Sequence, residues 1–199
     1  MRHKSRKNAM NQKSLIDENQ IIELCKGGDR RAYMHIYDKY SRAMFNVAYR
    51  FMNDSDAAQD MMQDGFIKAF SKLDSFSGEV VFGAWLKRII VNTCLDEIRK
   101  QKDLLSFDDA RFLEPVIEAE ENFKDSELVV DEIKKCILQL PEKYAIVTNL
   151  FLIEGYDYDE ISSILDIKNS TARSLVSRAK IKIRELMTAS EGFGEIGLS

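Results

Sequence analysis

The sequence predicts an all-α protein of two small helical domains joined by a flexible acidic linker, and three observations carry that prediction. Helix breakers are scarce: the 199 residues include two prolines and nine glycines, and Pro115 and Pro141 both fall outside long periodic segments. Apolar residues, 45% of the chain, recur three and four positions apart, the period of an amphipathic helix. Charge is segregated. Residues 103 to 132 hold eleven acids against two bases, a local charge of −9, whereas residues 168 to 184 hold six bases and no acid. Residues 87 to 102 are also basic, at +3. Like charges in a weakly periodic stretch repel and extend it, which places the linker at 103–127.

The elements follow in order. A first helix, about 16 to 26, buries Ile21, Ile22, Leu24 and Cys25 and stops at Gly27-Gly28. Asp29 is a good N-cap for a second helix, whose Tyr33, Ile36, Tyr37, Tyr40, Met44, Phe45, Val47, Ala48 and Phe51 share one side. Asn53 to Asp56 break that helix and cap a third, carrying Ala57, Ala58, Met61, Met62, Phe66, Ala69, Phe70 and Leu73 inward. Asp74 to Gly83 read as a loop. A fourth helix, about 84 to 101, turns Trp85, Leu86, Ile89, Ile90, Cys94, Leu95 and Ile98 inward.

The first domain therefore spans 17–102, behind a basic tail at 1–16. The second spans 128–188. Its first helix ends before Pro141, which suits the opening turn of the next, 142 to 153. Asp157 with Glu160 has capping-box spacing for a short helix, Tyr158 to Leu165. A turn at Asp166 to Asn169 leads into a last helix, about 170 to 187, and a tail at 189–199.

Composition excludes several function classes. No run of eighteen apolar residues exists, so no membrane span is expected, and the basic start has no apolar stretch behind it as a secretory signal would. A cytoplasmic protein is the expectation. Cys25, Cys94 and Cys136 lie far apart within apolar patterns and read as buried hydrophobes, not as a metal site. No nucleophile with a base, no metal cluster and no phosphate loop is visible, so no catalysis, metal or cofactor is expected.

A short helix, a turn and a longer helix form the helix-turn-helix layout of DNA readers. Ala172, Leu175, Val176, Ala179, Ile183 and Leu186 form the stripe that packs against Ile161, Ile164, Leu165 and Ile167. Thr171, Arg173, Ser174, Ser177, Arg178 and Lys180 are the candidate DNA contacts, with Arg173 and Ser177, and Ser174 and Arg178, one turn apart. An ordinary solvated basic face is the competing reading, and the preceding short helix and turn weigh against it.

The first domain offers two more surfaces. One is acidic, with Asp54, Asp56, Asp60, Asp64, Gln59 and Gln63. Lacking accompanying His or Cys, it reads as a protein contact and not a metal or acid–base site. The other joins Lys87, Arg88, Asn92, Arg99, Lys100 and Lys102 with the loop aromatics Phe76 and Phe82, a pattern suited to single-stranded nucleic acid. Trp85 reads as core; base contact and plain solvation serve Asn92 equally.

Four stretches, AAQDMMQDGFIKAF (57–70), AWLKRIIVNTCLDEIRKQK (84–102), LPEKYAIVTNLFLIEGYDYDEISSILDI (140–167) and STARSLVSRAKIKIREL (170–186), resemble in this order the bacterial RNA polymerase sigma factors of the extracytoplasmic-function group. The resemblance implies a region 2 type four-helix domain and a region 4 type helix-turn-helix domain. It implies a transcription initiation factor whose partners are core RNA polymerase, promoter DNA and an anti-sigma factor. Asp60, Gln63, Asp64 and Phe66 fall on the polymerase-binding motif, with Gln59 where an acid is usual. Ser75, Phe76, Lys87, Arg88, Asn92 and Arg99 fall on the part that captures the melted non-template strand at the −10 element, and Asp96 and Arg99 match that helix's acid and base. Thr171 to Lys180 fall on the helix that reads the double-stranded −35 element, with Leu175 replacing a base frequent there.

Other readings of the residues stay open: a stand-alone dimeric regulator using the same carboxy-terminal reader, a helical adaptor that binds no DNA, and an enzyme, for which the chemistry is missing. The acidic linker is expected to lie in a positively charged polymerase channel, where its −9 charge mimics nucleic acid. Neutralising its acids should change the rate of initiation or of the release step in single-round transcription; unchanged kinetics would reject that role.

Overall fold

The computed structural model describes residues 18–101 and 127–194, all of whose regular structure is helical. The basic tail, most of the acidic linker and the last five residues lie outside the described residues. The chain divides into two compact units, Met1–Lys102 and Asp103–Ser199.

In the first unit α1 covers residues 18–26 and ends at a turn where Gly28 takes φ +82°, a left-handed conformation that a Cβ disfavours. Helix α2 (Arg30–Met52) opens on Asp29, whose carboxylate accepts from the backbone N–H of Arg31 at 2.7 Å and Ala32 at 3.2 Å. It closes on Asn53, left-handed at φ 51°, and Asp54 then caps α3 (Ser55–Ser71) by accepting from Ala57 N at 2.8 Å. A 3₁₀ turn, Leu73–Ser75, and a short loop lead to α4 (Phe82–Gln101). Helix α4 thus starts two residues before the position expected from periodicity.

Helices α2, α3 and α4 pack on one another. Ile36, Met44 and Val47 of α2, Met62 and Phe66 of α3, and Leu86, Ile90 and Cys94 of α4 form the centre of that core. An aromatic seam joins α2 to α3: Tyr33 meets Phe70 at 4.8 Å and Tyr37 meets Phe66 at 4.9 Å between centroids. Buried Glu18 of α1 ties its helix to α2 by accepting from Lys39 Nζ at 2.6 Å and from the Tyr40 hydroxyl. Burial first, and then that acceptor, push the Tyr40 hydroxyl above its ordinary pKa. The three cysteines are buried and free, and desolvation pushes the Cys94 thiol up to about 12. A thiol so held stays protonated near neutrality and packs as an apolar group.

In the second unit α5 (Glu127–Gln139) precedes α6 (Glu142–Thr148). The segment expected as one helix from 142 to 153 changes character midway: Asn149–Ile153 form a π turn in which Glu154 N–H reaches Asn149 O at 2.9 Å. Helix α7 (Tyr158–Leu165) starts with the complete capping box: Glu160 N–H donates to Asp157 Oδ1 at 2.8 Å, and Asp157 N–H to Glu160 Oε2 at 2.9 Å. It ends on Asp166, left-handed at φ 56°. Helix α8 (Asn169–Gly194) runs well past the expected end at 187, so residues 189–194 of the expected tail are helical. Helices α5, α6 and α7 all pack on α8, burying Ala172, Leu175, Val176, Ala179 and Ile183.

Among the described glycines of the first unit, Gly65 leaves least room for a side chain. A Cβ there would stand 2.2 Å from Ile90 Cδ1 and 3.4 Å from Ile90 Cα, and Ile90 is itself fully buried. Alanine gains up to about 1 kcal/mol of helix propensity over glycine. Overpacking a close-fitted core costs about 1–3 kcal/mol, so the clash decides the sign. Gly65→Ala should lower the stability of the full chain by about 1–2 kcal/mol in urea unfolding.

Candidate nucleic-acid interface

On α8 the residues expected to meet DNA do not share one face. Arg173, Ser177 and Lys180 share one outward arc with Arg184, at spacings of four, three and four. Arg173 and Arg184 are exposed, and Ser177 and Lys180 half-buried. Arg178 is half-buried about a third of a turn away from that arc, on the side of Thr171 and Ser174. Thr171 and Ser174 are buried, and the Ser174 hydroxyl has no hydrogen-bond partner. Both are corrections to the expected contact set, with one cause: α8 is covered by more than one neighbouring helix, so its buried arc is wider than its apolar stripe. Leu175 is likewise wholly buried, so it stands in the core and not at a vacated backbone contact.

The aromatic π turn and the capping box build the shoulder of this face. Phe151 and Tyr158 stack at 5.0 Å with planes 21° apart. The Arg173 guanidinium lies over Tyr158, 4.5 Å from its centroid, and Lys180 Nζ lies 4.8 Å from that of Phe151. Arg173 Nε donates to Asn169 Oδ1 at 2.8 Å, and Asn169 Nδ2 donates to Asp159 Oδ1 at 2.6 Å. Sequence reasoning missed Phe151, Tyr158, Asp159 and Asn169 in this role. The readable signal was the i,i+4 spacing of Asn169 and Arg173.

In the first unit Arg88, Asn92 and Arg99 are exposed and fall within a narrow arc of α4, with Arg99 paired to Asp96 at 3.4 Å. Lys87 is half-buried about a quarter-turn round the helix. Ser75 is exposed and its hydroxyl donates to Lys72 O at 2.6 Å. Phe76 is not available for stacking on a base. It is buried edge-on to Phe82 at 5.4 Å, with Trp85 at 5.3 Å, and Phe82 is buried too. The three rings, spaced across loop and helix, make a small core of their own. What the loop exposes instead is Val80 and Val81, 53% and 59% accessible. Apolar residues inside a Ser/Gly/Glu loop were the overlooked signal.

The acidic surface lies on α3, where Asp56, Asp60, Gln63 and Asp64 are exposed on one side. Phe66 points about a third of a turn away into the core, at 2% accessibility and packed on Tyr37, so it is buried in this structure and not part of the exposed surface. Ile67 belongs to the acidic face, 66% exposed amid the carboxylates. Its position out of phase with Met62, Phe66 and Phe70 marks it in the sequence.

Known proteins resemble the chain along both units. The Sigma-70 region 2 family matches residues 36–103, and the Sigma-70 region 4 family matches residues 131–183. The RNA polymerase sigma-H factor of Pseudomonas aeruginosa is 32% identical over 177 residues, spanning 82% of this chain and 90% of the relative. The ECF RNA polymerase sigma factor SigW of Bacillus subtilis is 30% identical over 174 residues, spanning 82% and 93%. Among solved structures, CnrH in complex with the cytosolic domain of CnrY shares the fold at TM-score 0.54 and 22% identity, covering 86% of this chain and 97% of that one. The sigma factor RpoE of Bartonella quintana, solved with the anti-sigma factor NepR, does so at TM-score 0.54 and 24% identity, covering 78% and 96%.

The burial of Ser174 is directly testable. Replacing an unpartnered buried hydroxyl by a methyl removes a desolvation cost of about 1–3 kcal/mol, in part or in full. Ser174→Ala should leave DNA affinity unchanged and hold or raise the urea midpoint. A fall in affinity without loss of stability would put the hydroxyl on DNA.

Proposed function

The chain belongs to the extracytoplasmic-function group of bacterial RNA polymerase sigma factors, and from that premise we propose which of its faces performs each part of promoter-specific transcription initiation. The acidic face of α3, with Asp60, Gln63 and Asp64 around Ile67, docks on core RNA polymerase. The loop at 77–81 and the Arg88, Asn92 and Arg99 side of α4 take up the non-template strand of the opened −10 element. The arc formed by Arg173, Ser177, Lys180 and Arg184 enters the major groove of the −35 element. The polymerase performs the chemistry, and this chain contributes contacts alone.

One observation carries the assignment: faces of opposite sign stand on separate helices, acidic on α3 and basic on α8. An acidic face repels DNA and suits a basic protein surface, whereas a basic arc with a fixed arginine suits phosphate and guanine. An exposed isoleucine beside Asp64 and Gln63, on the same face as Asp60, has the make-up of an interface anchor with a polar rim. RpoE of Bartonella quintana is solved with the anti-sigma factor NepR, and we extend an inhibitory protein of that class to this chain as the partner that covers these faces when the factor is idle.

The test mixes the chain, core polymerase and promoter DNA and follows promoter opening. Opening should require both chain and polymerase; binding of the isolated chain to the promoter would favour a stand-alone regulator. Asp64→Arg should weaken co-purification with core polymerase at least about tenfold, as reversal of a close charge at an interface does, with helicity unchanged by circular dichroism. Undiminished co-purification would show that the acidic face is merely solvated.

A further inference from the structure

Arg173, on the outward arc of α8, is held by two side chains. Asn169 accepts from its Nε, and Tyr158 lies beneath its guanidinium plane. Neither support is loose. The Asn169 amide has one orientation that satisfies both neighbours, because Arg173 can only donate and an ionised Asp159 can only accept. Asp159 therefore holds the amide with its carbonyl toward the arginine. Tyr158 is the first residue of α7, its backbone set by the Asp157 and Glu160 capping box, and its other side is covered by Phe151.

Resting on the reading that α8 enters DNA, we propose that Asn169 and Tyr158, with Asp159 behind them, are positioning residues that present Arg173 to a guanine edge. With Nε engaged by Asn169, the donors left for a ligand are those of the two terminal nitrogens, a planar fork that matches the O6 and N7 acceptors of guanine. Arginine has several rotatable bonds whose freedom is lost on binding. A guanidinium already fixed by a hydrogen bond and a ring loses less, so the correct base gains more from it. A phosphate would not need this arrangement, since it accepts a charge from many directions. The clamp therefore acts on sequence preference more than on overall affinity.

The experiment uses the full chain assembled with core polymerase. Its probes are a −35 element selected from random sequence by the unaltered holoenzyme, and the same element with each guanine replaced in turn. Asn169→Ala and Tyr158→Leu should each reduce preference for one guanine by about three- to tenfold, with the salt dependence of binding unchanged. Tyr158→Phe, which keeps the ring, should restore the preference lost in Tyr158→Leu. Arg173→Ala should abolish preference at the same guanine, and adding Asn169→Ala to it should change preference less than about twofold. Additive losses, or equal weakening on every sequence, would overturn the clamp while leaving Arg173 as a reader. Intact preference in Arg173→Ala would overturn the reading of α8 itself, and the clamp with it. A unit broken by Tyr158→Leu would lower the urea midpoint; Asn169→Ala, at a half-buried polar position, carries the test independently.

Discussion

One helix, α8, supplies both the core of its unit and its basic face, and the division of its circumference between those tasks is the constraint on which the DNA-facing geometry depends. Three other helices lean on it, so only a narrow arc stays outside. The alanines at 172 and 179 are part of the same constraint. Both are fully buried, and larger side chains there would push the neighbouring helices off and turn the arc. Helix α3 in the first unit meets a similar limit at Gly65, where the side chain of Ile90 fills the place of a Cβ. In both units small residues on the packed side, Ala172 and Ala179 of α8 and Gly65 of α3, let a neighbouring helix come close behind the functional face.

Most boundaries were legible because they are set by local chemistry. Asp29, Asp54 and Asp157 cap the helices that their spacing announced, and the reciprocal bonds of Asp157 and Glu160 match the sequence pattern position for position. The apolar stripes of α2 and α8 were legible for the same reason: a helix repeats every few residues and one face must leave water. What escaped depended on tertiary surroundings. Periodicity identifies one buried stripe, not the burial of Thr171 and Ser174 beyond it. Residue type alone does not say whether an aromatic in a loop stacks on a ligand or on its neighbours, and Phe76 has Phe82 and Trp85 at hand. The π turn at Asn149–Ile153 escaped because an added residue in a helical turn leaves no mark on composition.

The corrections share a direction. Each residue withdrawn from the expected contact set, Phe66, Phe76, Thr171 and Ser174, is buried on an element that also carries exposed members of that set or of its face. Phe66 packs on Tyr37 in the core while Asp60, Asp64 and Ile67 stay exposed, and Phe76 packs on Phe82 beneath the loop that carries Val80 and Val81. A contact motif read along a helix mixes the residues that touch a partner with those that hold the touching residues in place, since both recur at helical spacing. Burial separates the two roles, and burial is a property of the folded chain.

Net charge sets how such a protein is used. At −4 overall, with an acidic stretch between its two basic segments, the chain neutralises few phosphates and gains little from counterion release on free DNA. On the proposed reading each basic arc alone would bind DNA weakly. Fixed on a common scaffold, the second contact forms at an effective concentration set by geometry instead of by the bulk, and two weak contacts become one strong one. A more basic chain would bind stronger by itself, but it would spread over nonspecific DNA and lose the dependence on a scaffold. The acidic balance thus works with the clamped arginine. The first suppresses attachment that carries no sequence information, and the second concentrates what attachment remains on a base.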